Sequence, residues 1–132
     1  MAAVHDVIGD MITKIRNASN AGKDKVVCRY SKIKHDICNI LVQEGFLDKV
    51  ETVGDEQKKG LRLTLKYFNG EPVIEGVQRI SKPGRRIYRG AEEIPRYMNG
   101  LAVTIVSTSN GVCTGKEAKT KNVGGELLCY IW

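Results

Sequence analysis

Leu61, Leu63, Leu65 and Tyr67 alternate with Arg62, Thr64 and Lys66. A period of two puts the apolar set on one side of an extended chain, so this stretch is a half-buried strand. Two helical stripes precede it. Val7, Ile8, Met11, Ile12 and Ile15 recur at helical spacing, with Asp6 placed to cap them. Ser31 opens a second stripe of Ile33, Ile37, Ile40 and Leu41, and Gly45 stands where a left-handed C-cap belongs. Residues 17–24 read as loop, 26–28 as a short strand, 46–53 as another and 54–60 as a charged turn.

Asn69-Gly70-Glu71-Pro72 is the natural boundary. Before it the order is αβαββ; after it strands dominate. Residues 73–80 read as a strand, and Ser81-Lys82-Pro83-Gly84 as a type II turn. Residues 85–89 are extended, 92–99 hold a helical turn cut by Pro95, and 101–106 form a strand. Asn110-Gly111 closes a hairpin. Thr114 and Glu117 fit a capping box ahead of a short helix, and 126–132 form an apolar closing strand. The expected fold is mixed α+β: an N-terminal α/β domain at 1–68, a linker at 69–72 and a β-rich domain with one short helix at 73–132.

The chain has 132 residues and a formal net charge of +6, which points to a polyanionic partner. No apolar run approaches the ~20 residues of a membrane helix, and no strongly basic amphipathic helix suits a membrane surface. The start, Met1-Ala2-Ala3-Val4-His5-Asp6, lacks the basic and apolar regions of a secretion signal, so a cytoplasmic protein is expected. Cys28, Cys38, Cys113 and Cys129 form no Cys-x-x-Cys pair and stand apart from His5 and His35. They read as reduced thiols, mostly buried, with no metal site.

Enzymatic readings fail on chemistry. "GVCTGK" (111–116) has three residues between its glycines where a phosphate-binding loop has four. Glu117 follows the lysine where a magnesium-binding hydroxyl is required. Ser107 and Ser109 lack the frame of a nucleophile elbow, and scattered acids such as Asp10 and Glu44 nominate no acid–base pair. No catalytic residue and no cofactor is expected.

Binding signals are stronger. "RISKPGRRIYR" (79–89) carries five basic residues and no acid. Its cations suit phosphates, and Tyr88 suits stacking on an unpaired base or sugar. The other reading is a solvated basic strand pair. Ser107-Thr108-Ser109 places three hydroxyls after an apolar strand, more polarity than a hairpin needs. Short hydroxyl side chains suit 2′-hydroxyls, base edges and phosphates. They also suit bonds to their own turn, and spacing leaves both open.

Six segments carry a resemblance in one order: "DVIGDMITKIRNA", "SKIKHDICNILVQEGF", "LTLKYFNG", "RISKPGRRIY", "IVSTSNGV" and "VGGELLCYIW". With them the chain resembles the eighth-protein family of the small ribosomal subunit, in its bacterial type, over nearly its full length. The resemblance implies two small α/β domains, no enzymatic activity and early binding to the central domain of small-subunit rRNA. It also implies contact with neighbouring ribosomal proteins and, as an alternative role, repression of its own operon mRNA. It implies a place in the ribosome, with an organellar ribosome left open beside a bacterial one.

By position, Ser107, Thr108, Ser109, Asn110 and Gly111 resemble the family's main RNA-recognition loop, beside the turn at Gly124, Gly125 and Glu126. Lys82, Pro83, Gly84, Arg85, Arg86 and Tyr88 resemble a second contact surface. Thr13, Arg16, Asn17, Ser31 and Lys32 match a further set in the N-terminal domain. The chain departs from the family's usual residues at Asn110 (Lys), Val7 (Pro), Cys113 (Met) and Gly115 (Asp), and Asn110 removes a positive charge from the loop.

Overall fold

The computed structural model describes residues 6–132; residues 1–5, read above for targeting and including His5, lie outside it. Contacts cluster into two compact units, one of Asp10–Glu75 and one of Gly76–Trp132 with the chain start up to Gly9. The fold is mixed α+β, as the two periodicities predict.

In the first unit, α1 (Val7–Asn20, its first residues belonging to the other unit) is followed by β1 (Lys25–Arg29), α2 (Lys32–Gln43), β2 (Leu47–Val53) and β3 (Gly60–Leu65). The strands form an antiparallel sheet in the order β1-β3-β2. The alternation that defines β3 is realised directly: Leu61, Leu63 and Leu65 are buried, whereas Arg62 and Thr64 are half-buried. Arg62 lies opposite Glu51 on β2 and bonds both its carboxylate oxygens, at 3.4 and 3.3 Å. Met11 and Ile15 of α1, Ile37 of α2 and Leu47 are all at most 2% exposed, so both helical stripes reach the core.

Helix α1 runs beyond the loop expected from residue 17, because Ala18 and Ser19 continue its buried stripe. Gly22 then ends it at φ +70°, with Gly22 N–H donating to Ser19 O and Lys23 N–H to Ala18 O. Gly45, at φ +84°, ends α2 in the same way. Such left-handed ends satisfy the last carbonyls of a helix. Ser31 caps α2, its Oγ accepting from Lys34 N–H at 3.3 Å. The unit closes with a two-residue hairpin between β4 (Tyr67–Phe68) and β5 (Glu71–Pro72), in which Asn69 and Gly70 both have positive φ. This is the mirror-image turn that Asn-Gly favours. We keep 69–72 as the proposed divide between independently folding parts.

The second unit holds β6 (Val77–Arg79), β7 (Tyr88–Arg89), β8 (Val103–Thr108), β9 (Gly111–Thr114), α3 (Gly115–Thr120) and β10 (Gly125–Ile131). Its sheet order is β6-β10-β8-β9, with β7 pairing the same edge of β10 as β6. The strand expected at 73–80 shortens to β6. Val73 instead donates to Lys66 O, and Gly76 exchanges two hydrogen bonds with Trp132. Residues 91–93 and 97–100 form short 3-10 turns in place of one helical turn. Ile94, Val106, Ala118 and Leu127 form one buried cluster in this unit, and Ile105, Leu128, Cys129 and Ile131 are buried as well.

Asp6 ties the start of α1 into the second unit. Its carboxylate accepts from Gly9 N–H at 3.0 Å, as a cap, and from the Arg79 guanidinium at 3.1–3.3 Å. Arg79 also donates to Leu128 O. Burial opposes ionisation of Asp6, but the Arg79 and Gly9 hydrogen bonds and the charges of Arg79 and Arg86 outweigh it. The carboxyl is held below its usual range.

Candidate nucleic-acid interface

The hairpin that joins β8 to β9 is built differently from the Asn-Gly turn read from sequence. Thr108 pairs with Gly111, so the two central residues are Ser109 and Asn110. Neither has positive φ; Gly111 alone takes that role, at +110°. The loop is held by Thr108, whose Oγ1 accepts from Asn110 N–H at 3.1 Å and donates to Gly111 O at 2.8 Å. Thr108 is therefore spent on its own turn. The Ser107 and Ser109 hydroxyls make no hydrogen bond among the described residues.

Register arranges the rest. Tyr88 of β7 lies opposite Glu126 of β10, Glu126 opposite Ser107 of β8, and Ser107 opposite Val112 of β9. Residues directly opposite in antiparallel pairs share a face. The four make a row across four strands. The next row, Arg89, Gly125, Thr108 and Gly111, faces the other way.

Gly125 and its neighbour Gly124 are required by nearby backbone. A Cβ on Gly125 would lie 2.1 Å from Ser107 O, and one on Gly124 2.5 Å from Arg89 O. Close approach of the protein's own backbone explains both residues.

The basic run divides by partner. Arg79 is only 10% exposed at its side chain and serves Asp6. Arg86 pairs with Glu126 at 3.1 Å, so two predicted contact residues neutralise each other. Lys82, Arg85 and Arg89 are exposed and make no ion pair among the described residues. Arg89, which the sequence reading left out of the contact set, joins this group through its place on β7.

Lys82 and Arg85 exchange backbone hydrogen bonds across Pro83-Gly84. Gly84 has no positive φ, so this turn is not the type II expected. Ser81, fully buried, braces it by accepting from Ile87 N–H at 2.9 Å. Tyr88 is 62% exposed, and its ring is free to stack.

The first unit carries the remaining candidates. Thr13, Arg16 and Asn17 occupy one exposed face of α1. Ser31 spends its oxygen as the α2 cap, and Lys32 pairs with Asp36 at 3.3 Å while staying largely exposed.

No group of described residues has the clustering of a metal site. Cys28, Cys38 and Cys129 are buried and free. Burial pushes the Cys38 and Cys129 thiols up to about 12, which leaves them protonated and inert. No described helix is long and apolar enough to cross a membrane.

These features define a basic α+β protein of two small units, with polar side chains gathered at one end of its second sheet. The chain belongs to the family described as Ribosomal protein S8, whose model matches residues 6–132. Among similar proteins, the small ribosomal subunit protein uS8 of Bordetella avium is 49% identical over 129 residues. That of Chromobacterium violaceum is 46% identical over 129, and that of Staphylococcus saprophyticus 50% over 130. Each alignment covers 98% of both chains.

Proposed function

We propose that this chain is a structural, non-enzymatic constituent of the small ribosomal subunit that binds the central domain of its rRNA during assembly. Its unspent Ser107 and Ser109 hydroxyls, with Ser107 in one row with exposed Tyr88 across Glu126, carry the reading. In this mechanism Lys82 and Arg85 bind phosphates and supply affinity, which salt weakens. Tyr88 stacks on an unpaired base or sugar. Ser107 and Ser109 exchange hydrogen bonds with base edges and 2′-hydroxyls of an irregular helix, where a shallow minor groove exposes them. Thr108 and Gly111 hold the loop, and Gly124 and Gly125 let its strands approach.

An operon mRNA segment of the same shape would occupy the same surface, so self-repression extends this reading. Other small-subunit proteins are its expected neighbours, and the ribosome of the cytoplasm its expected location. The test compares binding to a transcript of the rRNA central-domain site with binding to a regular duplex of equal length. Preference for the irregular site is expected; equal affinity for the two would overturn shape recognition.

A further inference from the structure

A second cationic feature lies wholly within the first unit. The end of β1, the loop from β2 to β3 and one side of α1 enclose an open cleft of about 460 Å³. Lys14, Arg29, Lys58 and Lys59 line it together with Gln57, and no carboxylate does. Five cations elsewhere are matched: Lys32, Lys49, Arg62, Arg79 and Arg86 each sit within 3.6 Å of an acid. Lys14, Arg29 and Lys58 have no ion pair among the described residues. Lys59 lies over the Tyr30 ring, 4.1 Å from its centre, which holds the ammonium without cancelling its charge.

The cluster is shaped by the backbone. Of the two acids that precede the lysines, Glu56 is exposed and does not line the cleft, and Asp55 accepts from Gln57 N–H at 3.0 Å and from Lys58 N–H at 2.8 Å. Asp55 is used to fold the loop. Gly54, at φ +83°, lets the loop turn tightly, since a Cβ there would lie 2.3 Å from Lys58 O. Tyr30 N–H donates to Lys59 O and fixes the loop to the end of β1. Four like charges held around one opening repel each other until an anion enters.

We propose that this cleft seats a backbone phosphate of RNA, as a site separate from the C-terminal sheet. Arg29 offers a planar fork to two phosphate oxygens, and Lys14 and Lys58 add point charges on either side. An open cleft admits a continuous sugar–phosphate chain, whereas a free nucleotide is better held by an enclosed pocket. The inference rests on the proposed RNA-binding role and adds an anchor that reads no sequence.

The test uses the full chain, a central-domain rRNA transcript and a sodium chloride series. Arg29→Gln/Lys58→Gln should bind more weakly at low salt, with a log–log salt slope shallower by about 0.7–0.9 for each charge removed. Ser109→Ala should leave that slope unchanged. Lys58→Gln alone, at a fully solvated loop position, should give half the effect and keeps the test valid if the double variant folds poorly. Wild-type affinity and slope in both variants would overturn the cleft while leaving the proposed function intact. Failure of the wild-type chain to bind the transcript would overturn both. Saturable binding of inorganic phosphate that competes with the transcript at equal phosphate concentration would make the cleft a small-anion site and overturn the RNA seat.

Discussion

Thr108 closes its own turn, whereas Ser107 and Ser109 are proposed to meet RNA, and single substitutions separate the two roles. Thr108→Val should destabilise the hairpin by about 1–2 kcal/mol, since it removes two hydrogen bonds that close the turn. Ser109→Ala should leave the melting temperature unchanged and cost about 1–2 kcal/mol in affinity for the rRNA site. Thermal melts beside filter binding check both, and a Ser109→Ala variant that lost stability but not affinity would assign its hydroxyl to the fold. Sequence showed that three hydroxyls were more than a turn needs. It did not show which one the turn would take, because that follows from a register one residue away from the Asn-Gly reading.

Asp6 gives a pH signature at the same scale. Its folded pKa is depressed, so its stabilising effect is fully present above the ordinary carboxylate value of 3.8 and is lost as pH falls through the folded value. Asp6→Asn keeps a capping side chain but gives up the charge facing Arg79. The variant should be less stable than wild type at pH 7, and the two should converge as pH drops below about 4. Denaturant titrations across that range would show the convergence; a constant gap would mean that the ion pair contributes nothing.

At the scale of elements, helices and the Leu61–Leu65 strand were legible because one strong period governs each of them. Strand β6 and the 81–84 turn were not, since their ends are set by long-range partners: Trp132 for Gly76 and Leu127 for Ser81. Glycines make the same point. Gly84 meets nothing within 4 Å of an added Cβ, whereas Gly125 meets Ser107 O. Gly84→Ala should therefore be neutral or slightly stabilising, through the unfolded chain. Gly125→Ala should cost about 1–3 kcal/mol, as overpacking does, and also weaken RNA binding by shifting Ser107. Charge pairing gives a parallel contrast. Arg85→Ala should flatten the salt dependence by about 0.7–0.9, whereas Arg86→Ala should change it less, because Glu126 already neutralises that charge.

For the whole molecule, composition predicted a basic protein, periodicity its α+β fold, and segment order pointed to its family. The basic cleft of the first unit stayed hidden because its four cations come from three distant stretches of chain. Lys58 and Lys59 looked like part of a solvated turn, and only folding sets them beside Lys14 and Arg29. The identity of the paired cations was equally invisible: Arg79 and Arg86 look alike in the basic run, yet one secures Asp6 and the other faces Glu126.

The place of β10 has a consequence for how the protein is made. This last strand pairs with β6, β7 and β8, so three earlier strands wait for it. Residues 10–75 complete their sheet long before the chain ends and can fold during synthesis. The second unit gains its central strand only when β10 joins β6, β7 and β8. A chain ended at Gly124 should resist limited proteolysis across 10–75 and be cut freely across 76–124. The row of Tyr88, Glu126 and Ser107, proposed above to face RNA, is assembled only once β10 is in place, so on that proposal a copy without β10 has no such surface with which to compete for the rRNA.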